Sequence, residues 1–550
     1  MNTENVSSHY LALTIGPVIK TLLEARKTRE LWAASYLLSR LMQHLTRNLD
    51  PNGTHLLIPK IPNDVQTATL YGAGIYPDRL FMEADHLNEE DIEPAIRISL
   101  EDLAKDCLLS KDIANSTKID DAVAYWEQFF RIRFVLIPLS DIKAGKLSLE
   151  LSPFLDTLEL EDTCFHQEPQ KDFMGLLFKE LFQSGLANHL RDDNRGRYKE
   201  ILGRTFFPAT HEIAAFELFE KAPQAFLKLS EVVDDDKNEV FYQQIEKGEG
   251  EYAALKKYFK PRHKYFCIVQ ADGDNIGGAI KQLNDGAAYR NFSETLARYG
   301  KEAAEIINKY GGKPIYIGGD DLLFLAPVST KEASVFDLIQ KLNDAFPKDQ
   351  LHPDASLSFG LNIVYYKFPL FEAIGDAYGI LKKAKDYPGK DAVSFQFTKH
   401  SGSAFTAVFS KNFLKAASTA MAVFEEHAPK GRTSVVSSLI FKLFTLKQLL
   451  IDLAKRVEAT TAEDASKTKT MLERRVDSTL DHFYGEWDQE PGFVKQKEAV
   501  KNLLLAAYSE SKDKETWTTL FYAVMRLIQF TISPSETNQH DTENILAAAG

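Results

Sequence analysis

Two acid-bearing turns, roughly fifty residues apart and each set in a β-rich apolar run, constrain this chain more than any other feature. The first lies in KYFCIVQADGDNIGG (264–278), where the run Tyr265–Val269 leads to Asp272, Gly273 and Asp274. The second lies in KPIYIGGDDLLFLAP (313–327), where Pro314–Ile317 turns through Gly318, Gly319, Asp320 and Asp321 into Leu322–Ala326. Between them FSETLARYGKEAAEIINKYGG (292–312) carries apolar residues at helical spacing and closes on Gly-Gly, which predicts a helix and its stop. A strand, a helix and an acid-tipped hairpin bring Asp272 beside Asp320 and Asp321.

Convergent carboxylates of this kind suit metal-assisted phosphoryl or nucleotidyl transfer, where two divalent ions sit about 3.5–4 Å apart. Mg²⁺ takes hard oxygen ligands and is held by one or two carboxylates completed by substrate phosphates. The glycines of DGDNIGG allow backbone N–H groups to approach phosphate oxygens. Each motif alone has a plainer reading. Gly-Gly-Asp-Asp is an ordinary solvated turn, and Asp-Gly-Asp is a turn or a calcium-loop fragment, although no Glu stands at the twelfth loop position. Their order, with the β-run, helix and hairpin between them, is what carries the catalytic reading.

At 550 residues the chain exceeds one core, and several domains are expected. Its net charge of −13, from 65 basic and 78 acidic residues, excludes a free-standing protein that grips a nucleic-acid backbone. No uncharged apolar run approaches the ~18–20 residues that span a bilayer. Cys107, Cys164 and Cys267 lack CxxC spacing, so neither a zinc knuckle nor a disulfide framework is indicated; a cytoplasmic, reducing home fits. Cys267 reads as a small core residue.

In chain order, HYLALTIGP (9–17) reads as a strand and 18–45 as one long amphipathic helix, with Arg26, Lys27 and Arg29 on a helix face. HLLIPKI (55–61) and RLFMEAD (79–85) read as further strands. The order repeats that of the acidic stretch, which suggests a diverged N-terminal palm with Asp78 as its one hairpin acid. Residues 101–260 read as mainly helical, with Trp126, Phe129 and Phe130 inward, and with charged loops at 191–197 and 234–239. HEIAAF (211–216) misses the second histidine of a zincin. After the hairpin, a helix (331–346), a strand (356–366), a helix (369–390) and a last strand (392–397) complete a ferredoxin-like palm. Lys385, in the last turn of its helix, either complements the helix C-terminus or reaches a triphosphate. Beyond about 405 the pattern is helical, with a stripe of Val436, Leu439, Leu443, Leu446, Leu450, Leu453 and Val457.

The fold expected is therefore α+β: two ferredoxin-like, nucleotidyl cyclase-like palm domains plus helical domains. The expected divisions are a degenerate palm at 1–100, a helical middle at 101–260, an active palm at 261–404, a helical domain at 405–532 and a disordered tail at 533–550.

IGPVIKTLLEARKTRELWAASYLLS (15–39), FPATHEIA (207–214), YFCIVQADGDNIGG (265–278), YIGGDDLLFLAP (316–327), FGLNIVYYKFPLFEAI (359–374) and LKKAK (381–385) carry a family resemblance. The chain resembles the large palm-domain subunit of type III CRISPR effector complexes, in the III-B or Cmr branch. The resemblance implies an RNA-activated nucleotidyltransferase of an antiviral ribonucleoprotein. It implies ATP as substrate and two Mg²⁺ or Mn²⁺ ions on Asp272, Asp320 and Asp321. Nucleotide contacts would come from Gly273, Asp274, Asn275, Gly277, Gly278, Gly318, Gly319 and Lys385. The product would be cyclic oligoadenylate, a second messenger, or an AMP conjugate if S-adenosylmethionine is the acceptor. The implied partners are other Cmr-type subunits, guide RNA and target RNA, with no membrane. Relatives with an N-terminal HD nuclease domain differ from this chain, which opens on the palm-like domain, so DNA cleavage is not expected of it. Three dispersed cysteines also cannot supply the four-cysteine zinc module of some relatives. Two other readings stand beside the leading one: a non-catalytic nucleotide-binding scaffold of the same complex, and a stand-alone diguanylate-type cyclase. Clustered, mutually repelling carboxylates argue against the scaffold. The second palm and the lack of a sensor domain argue against the cyclase.

Overall fold

The computed structural model describes residues 9–66, 72–107, 116–138, 147–160, 207–221, 238–427, 440–442, 444–445, 447–460, 465–484, 491–510 and 517–533. Two sheets organise it, each with helices packed against it, as an α+β reading requires.

The first sheet is built from β1 (His9–Gly16), β2 (Leu56–Ile58), β3 (Arg79–Glu83) and β4 (Arg131–Pro138) in the order β2-β3-β1-β4, with every neighbour antiparallel. β4 corrects the expected boundary at residue 100. RIRFVLIP pairs with β1 along its whole length, so the first palm takes its fourth strand from the segment read as helical. Its β-branched and aromatic content was the available signal.

The single helix expected over 18–45 is two: α1 (Val18–Leu23) and α2 (Thr28–Leu49). Glu30 Oε2 accepts from the N–H groups of Arg26 and Lys27, at 2.8 and 3.1 Å, and caps the start of α2. Arg26 and Lys27 thus sit in the turn rather than on a helix face, and the Arg26 guanidinium lies 4.3 Å from the Phe371 ring centroid. α3 (Glu89–Cys107) and α4 (Ser116–Phe129) follow. Trp126 and Phe130 are buried and Phe129 is partly buried against the same core.

After α5 (Phe216–Lys221) comes the second sheet, with strand order β10-β9-β8-β5-β7-β6. It contains β5 (Tyr265–Asp274), α6 (Ile276–Ile280), α7 (Gly286–Tyr310), β6 (Lys313–Gly318), β7 (Asp321–Pro327), α8 (Val335–Ala345), β8 (Ser356–Tyr365), α9 (Leu370–Lys385) and β9 (Ala392–Thr398). Central β5 is antiparallel to β7 and β8, and Phe266 to Val269 are fully buried, Cys267 among them. Local signals explain the helix ends. Asp285 caps α7 by accepting from Ala288 N–H, Gly311 closes it at φ +98°, and Ser334 with Asp337 forms a capping box on α8.

One more strand than expected follows. β10 (Ala404–Ser410) pairs antiparallel with β9, returning through Gly402 at φ +87°. Beyond it the described chain is helical: α10 (Lys411–Glu426), α11 (Pro491–Glu510) and α12 (Trp517–Ile532), with Lys447–Thr460 and Ala465–Tyr484 between α10 and α11. Glu510 ties this region to the palm by accepting from Tyr387 Oη at 2.6 Å and from Ser410 Oγ at 2.7 Å. Leu450 of the expected stripe is buried; the side chains of its other six members lie outside the described residues. So do Cys164, the loop at 191–197, residues 234–237 and the tail from 534. No described helix is long and apolar enough to cross a membrane.

The two palms touch through backbone. Gly74, from the connection between β2 and β3, donates to Ile315 O and accepts from Ile317 N–H at 3.2 and 2.8 Å. This parallel bridge lies on the outer edge of β6.

Candidate active site

The β6–β7 hairpin closes on the pair Gly318–Asp321, with Gly319 at φ +67° as the first of two turn residues. That backbone region strongly favours glycine, and a glycine there suits the tight turns that match strand twist. A Cβ on Gly318 would fall 2.0 Å from the Tyr316 hydroxyl oxygen. Register then does the placing. Ala271 pairs with Leu322, so Asp272 and Asp321 stand on the next rung, where side chains on one face are neighbours.

Asp320 leans onto the end of β5. Its carboxylate accepts from Gly273 N–H, and a Cβ on Gly273 would come within 2.4 Å of Asp320 Oδ2. Glycine at 273 thus makes room for the second acid. Desolvation, then the Asp272 charge, raises Asp320 to about 6. Asp321 opens at the cleft surface, but the surrounding protein, then Asp320 and Asp272, push it well above the carboxylate range. Asp78 of the first palm adds a smaller repulsion.

Among the described residues, Lys385 is the cation that reaches the end of β5. Lys385 Nζ pairs with Asp272 Oδ2, donates to the main-chain oxygens of Asp272 and Gly273 at 2.8 and 2.6 Å, and lies 2.9 Å from Asp274 Oδ1. It closes the end of β5 instead of complementing its own helix terminus. Asp274 is fully buried, and its Oδ2 accepts from Ser356 Oγ, Ser358 Oγ and Asp391 N–H at 2.8, 2.8 and 3.0 Å. Burial alone would raise its carboxyl; Lys385 and the two serines outweigh that and lower it. Both Asp274 oxygens are committed within the protein, so the sequence expectation of a nucleotide contact gives way to a framing role. Asn275, at φ 59°, likewise turns to donate to Asp354 O at 2.9 Å. Gly277 and Gly278 are exposed, with open space where a Cβ would project.

Beside the acids lies a cavity of about 510 Å³ between the palms, walled by β1, α1, Asp78 and Arg131 on one side and by Gln270, Asp321 and Tyr378 on the other. Among the described residues no three His, Cys, Asp or Glu side chains form a finished metal cage. The acids nevertheless fit a divalent ion completed by substrate phosphate: an ammonium already sits on Asp272, and Asp320 and Asp321 are raised by burial and then by neighbouring carboxylates.

Comparison with known proteins finds two family matches. The family described as "Cas10/Cmr2, second palm domain" matches residues 265–394, and "CRISPR-associated protein Cmr2, N-terminal" matches 10–108. Over these two stretches the chain is similar to the Cas10/Cmr2 family. The Cmr2 subunit of the Pyrococcus furiosus Cmr CRISPR system is 29% identical over 182 residues, 28% of this chain. That match spans 21% of the relative's length. A chain of the type III-B Cmr-β complex bound to cognate target RNA has the same fold, with TM-score 0.58 and 14% identity over 96% of this chain and 83% of that one. A chain of the Csm1–Csm4 cassette in complex with one ATP follows at TM-score 0.50 and 11% identity, over 96% of this chain and 70% of that one. The palm match thus spans β5 to the start of β9 in the second sheet, and the N-terminal match spans β1 to β3 of the first.

Sequence reasoning missed Ser356 and Ser358 on Asp274, and it missed Gln270 and the place of the first palm's Asp78 in the cavity wall. The serines alternate on β8 opposite Asp274 and were legible only once strand register was known. Asp78 reaches the site only because the palms pack together.

Proposed function

We propose that this chain is the nucleotidyltransferase of a type III-B CRISPR ribonucleoprotein, transferring AMP from ATP to a hydroxyl acceptor. The observation that carries the reading is the convergence of Asp272, Asp320 and Asp321 at the end of β5 and the tip of the β6–β7 hairpin. Bound there, Mg²⁺ or Mn²⁺ would neutralise triphosphate charge and make the attacking hydroxyl more acidic. The acceptor oxygen forms a bond to the α-phosphorus, the bond to the bridging oxygen breaks, and pyrophosphate leaves with that electron pair. The hydroxyl proton passes to solvent. Lys385 holds the Asp272 carboxylate and the β5 terminus in register, and is placed to exchange part of that contact for phosphate oxygens. Exposed Gly277 and Gly278 leave the backbone open to the triphosphate.

The Cas10/Cmr2 family matches, the ATP complex of the Csm1–Csm4 neighbour and the RNA-bound Cmr-β neighbour support ATP as substrate and other Cmr subunits, guide RNA and target RNA as partners, in the cytoplasm. The product is a signalling nucleotide, either cyclic oligoadenylate or an AMP conjugate of S-adenosylmethionine. The test is mass spectrometry of the reconstituted complex given target RNA, Mg²⁺ or Mn²⁺ and ATP, with and without S-adenosylmethionine. Oligoadenylate from ATP alone, or a conjugate only with S-adenosylmethionine, selects between the products. Asp320→Ala with Asp321→Ala abolishes either product while the complex still assembles. Turnover retained in that variant sinks the site assignment, and no product from the wild type favours a scaffold.

A further inference from the structure

One side chain in the inter-palm cavity has an unmet hydrogen-bonding requirement. Gln270 stands on β5 two residues before Asp272, hence on the same face, and it lines the cavity together with Asp321. It is only 3% exposed, and among the described residues no donor reaches its Oε1. The Tyr378 hydroxyl on α9 lies beside its amide, and Oε1 is the half of the group left unsatisfied. Buried carbonyl oxygens without a donor are rare in native proteins, because desolvation goes uncompensated. Here the oxygen borders a space of nucleoside size rather than a packed core. Tyr316 and Tyr378 add rings to that space, and Leu323 and Leu381 add apolar wall.

We propose that Gln270 selects the acceptor molecule: its Oε1 accepts a hydrogen bond from the exocyclic amine of an adenine ring seated against Tyr316 and Tyr378. An unsatisfied acceptor asks for a ligand donor, and the tyrosine and aliphatic side chains of the wall suit a flat, weakly polar ring. The 6-amine of adenine meets both demands. A 6-oxo purine would set its own oxygen against Oε1. Gln270 and Asp272 lie about 7 Å apart along the strand, the scale that separates a purine's amine from its ribose, so a ribose hydroxyl is delivered toward the acids. ATP and S-adenosylmethionine share this adenosyl group. The inference rests on the nucleotidyl-transfer reading for its consequence in turnover, but not for binding.

The experiment is calorimetric titration of the full-length chain with adenosine, with purine riboside, which lacks the 6-amine, and with inosine. Wild type binds adenosine on the order of 10-fold more tightly than purine riboside, and inosine no better than purine riboside. Gln270→Leu and Gln270→Met erase the difference. Equal wild-type affinities for adenosine and purine riboside overturn the proposal, as does the absence of saturable nucleoside binding or a full preference retained in either variant. The wild-type comparison decides even if neither variant folds. Competition of adenosine by ATP or by S-adenosylmethionine then separates the two sources of the ring. An adenosine preference without any product under the conditions above would sink the transferase reading alone. Product formation without the preference would sink the role of Gln270 alone.

Discussion

Asp274 and Lys385 form an ion pair, with Oδ1 and Nζ 2.9 Å apart, behind the more exposed Asp272. Asp274 is fully buried, whereas the Asp272 side chain is 39% exposed, so two acids one residue apart do different work. Removing one partner of a buried pair strands the other and typically costs about 3–5 kcal/mol. Asp274→Ala is expected to lower unfolding free energy by about 3 kcal/mol. Asp272→Asn changes it by less than about 1 kcal/mol, as for other exposed pairs, and abolishes turnover. Urea denaturation beside the product assay checks both. An Asp274→Ala protein as stable as wild type would show that the pair does not frame the site.

The acids themselves were readable from sequence because strand, helix and hairpin are local patterns. Asp272, Asp320 and Asp321 needed only the order of the elements to be brought together. Asp274 was not readable in the same way. Its role depends on Ser356 and Ser358 across the sheet, more than eighty residues away, and a one-residue change of register would remove both. β4 and β10 were missed because each lies next to long helical patterns, and an apolar strand there does not announce its partner. The break between α1 and α2 is a capping event, with Glu30 serving the turn before it, and helical periodicity alone runs straight through it.

Gly360 on β8 sets the height of the helix that carries Lys385. A Cβ there would lie 2.5 Å from Leu381 N and 2.7 Å from Leu381 Cα, backbone atoms that cannot rotate aside. Gly360→Ala therefore lifts α9 from the sheet, at a cost of about 1–3 kcal/mol for overpacking. It also moves Lys385, four residues further along, away from the end of β5. The expected result is a raised KM for ATP together with the stability loss. An unchanged KM in a protein with the full stability loss would separate helix seating from lysine placement. The same substitution at Gly277, where a Cβ meets nothing within 4 Å, leaves stability within about 0.5 kcal/mol.

A buried charge network at the opposite end of β5 from the acids makes stability depend on pH below neutrality. Glu217 on α5 accepts from Arg262 Nε at 2.9 Å and meets His263 Nε2 at 2.8 Å, while Arg262 also donates to Thr531 O at 2.7 Å and pairs with Glu425. The segment before β5 is thereby fastened to α10 and α12. Burial alone would raise Glu217, but Arg262, His263 and Lys221 outweigh it and hold the carboxylate far below its usual range. Burial lowers His263 to about 4, with Glu217 opposing in part. Both shifts act in one direction. Below the ordinary histidine value near 6.5 the unfolded chain binds a proton that folded His263 refuses until about pH 4. Below the ordinary glutamate value near 4.5 it binds another that Glu217 refuses. Stability contributed by the network is complete above about pH 7 and falls steadily toward pH 4. The histidine alone accounts for a loss on the order of 2–3 kcal/mol. Guanidinium denaturation at pH 7 and at pH 4.5 should show that loss, and His263→Gln should flatten the dependence between pH 6.5 and 5. A wild-type protein equally stable at both pH values would mean that the imidazole is solvated and the network open.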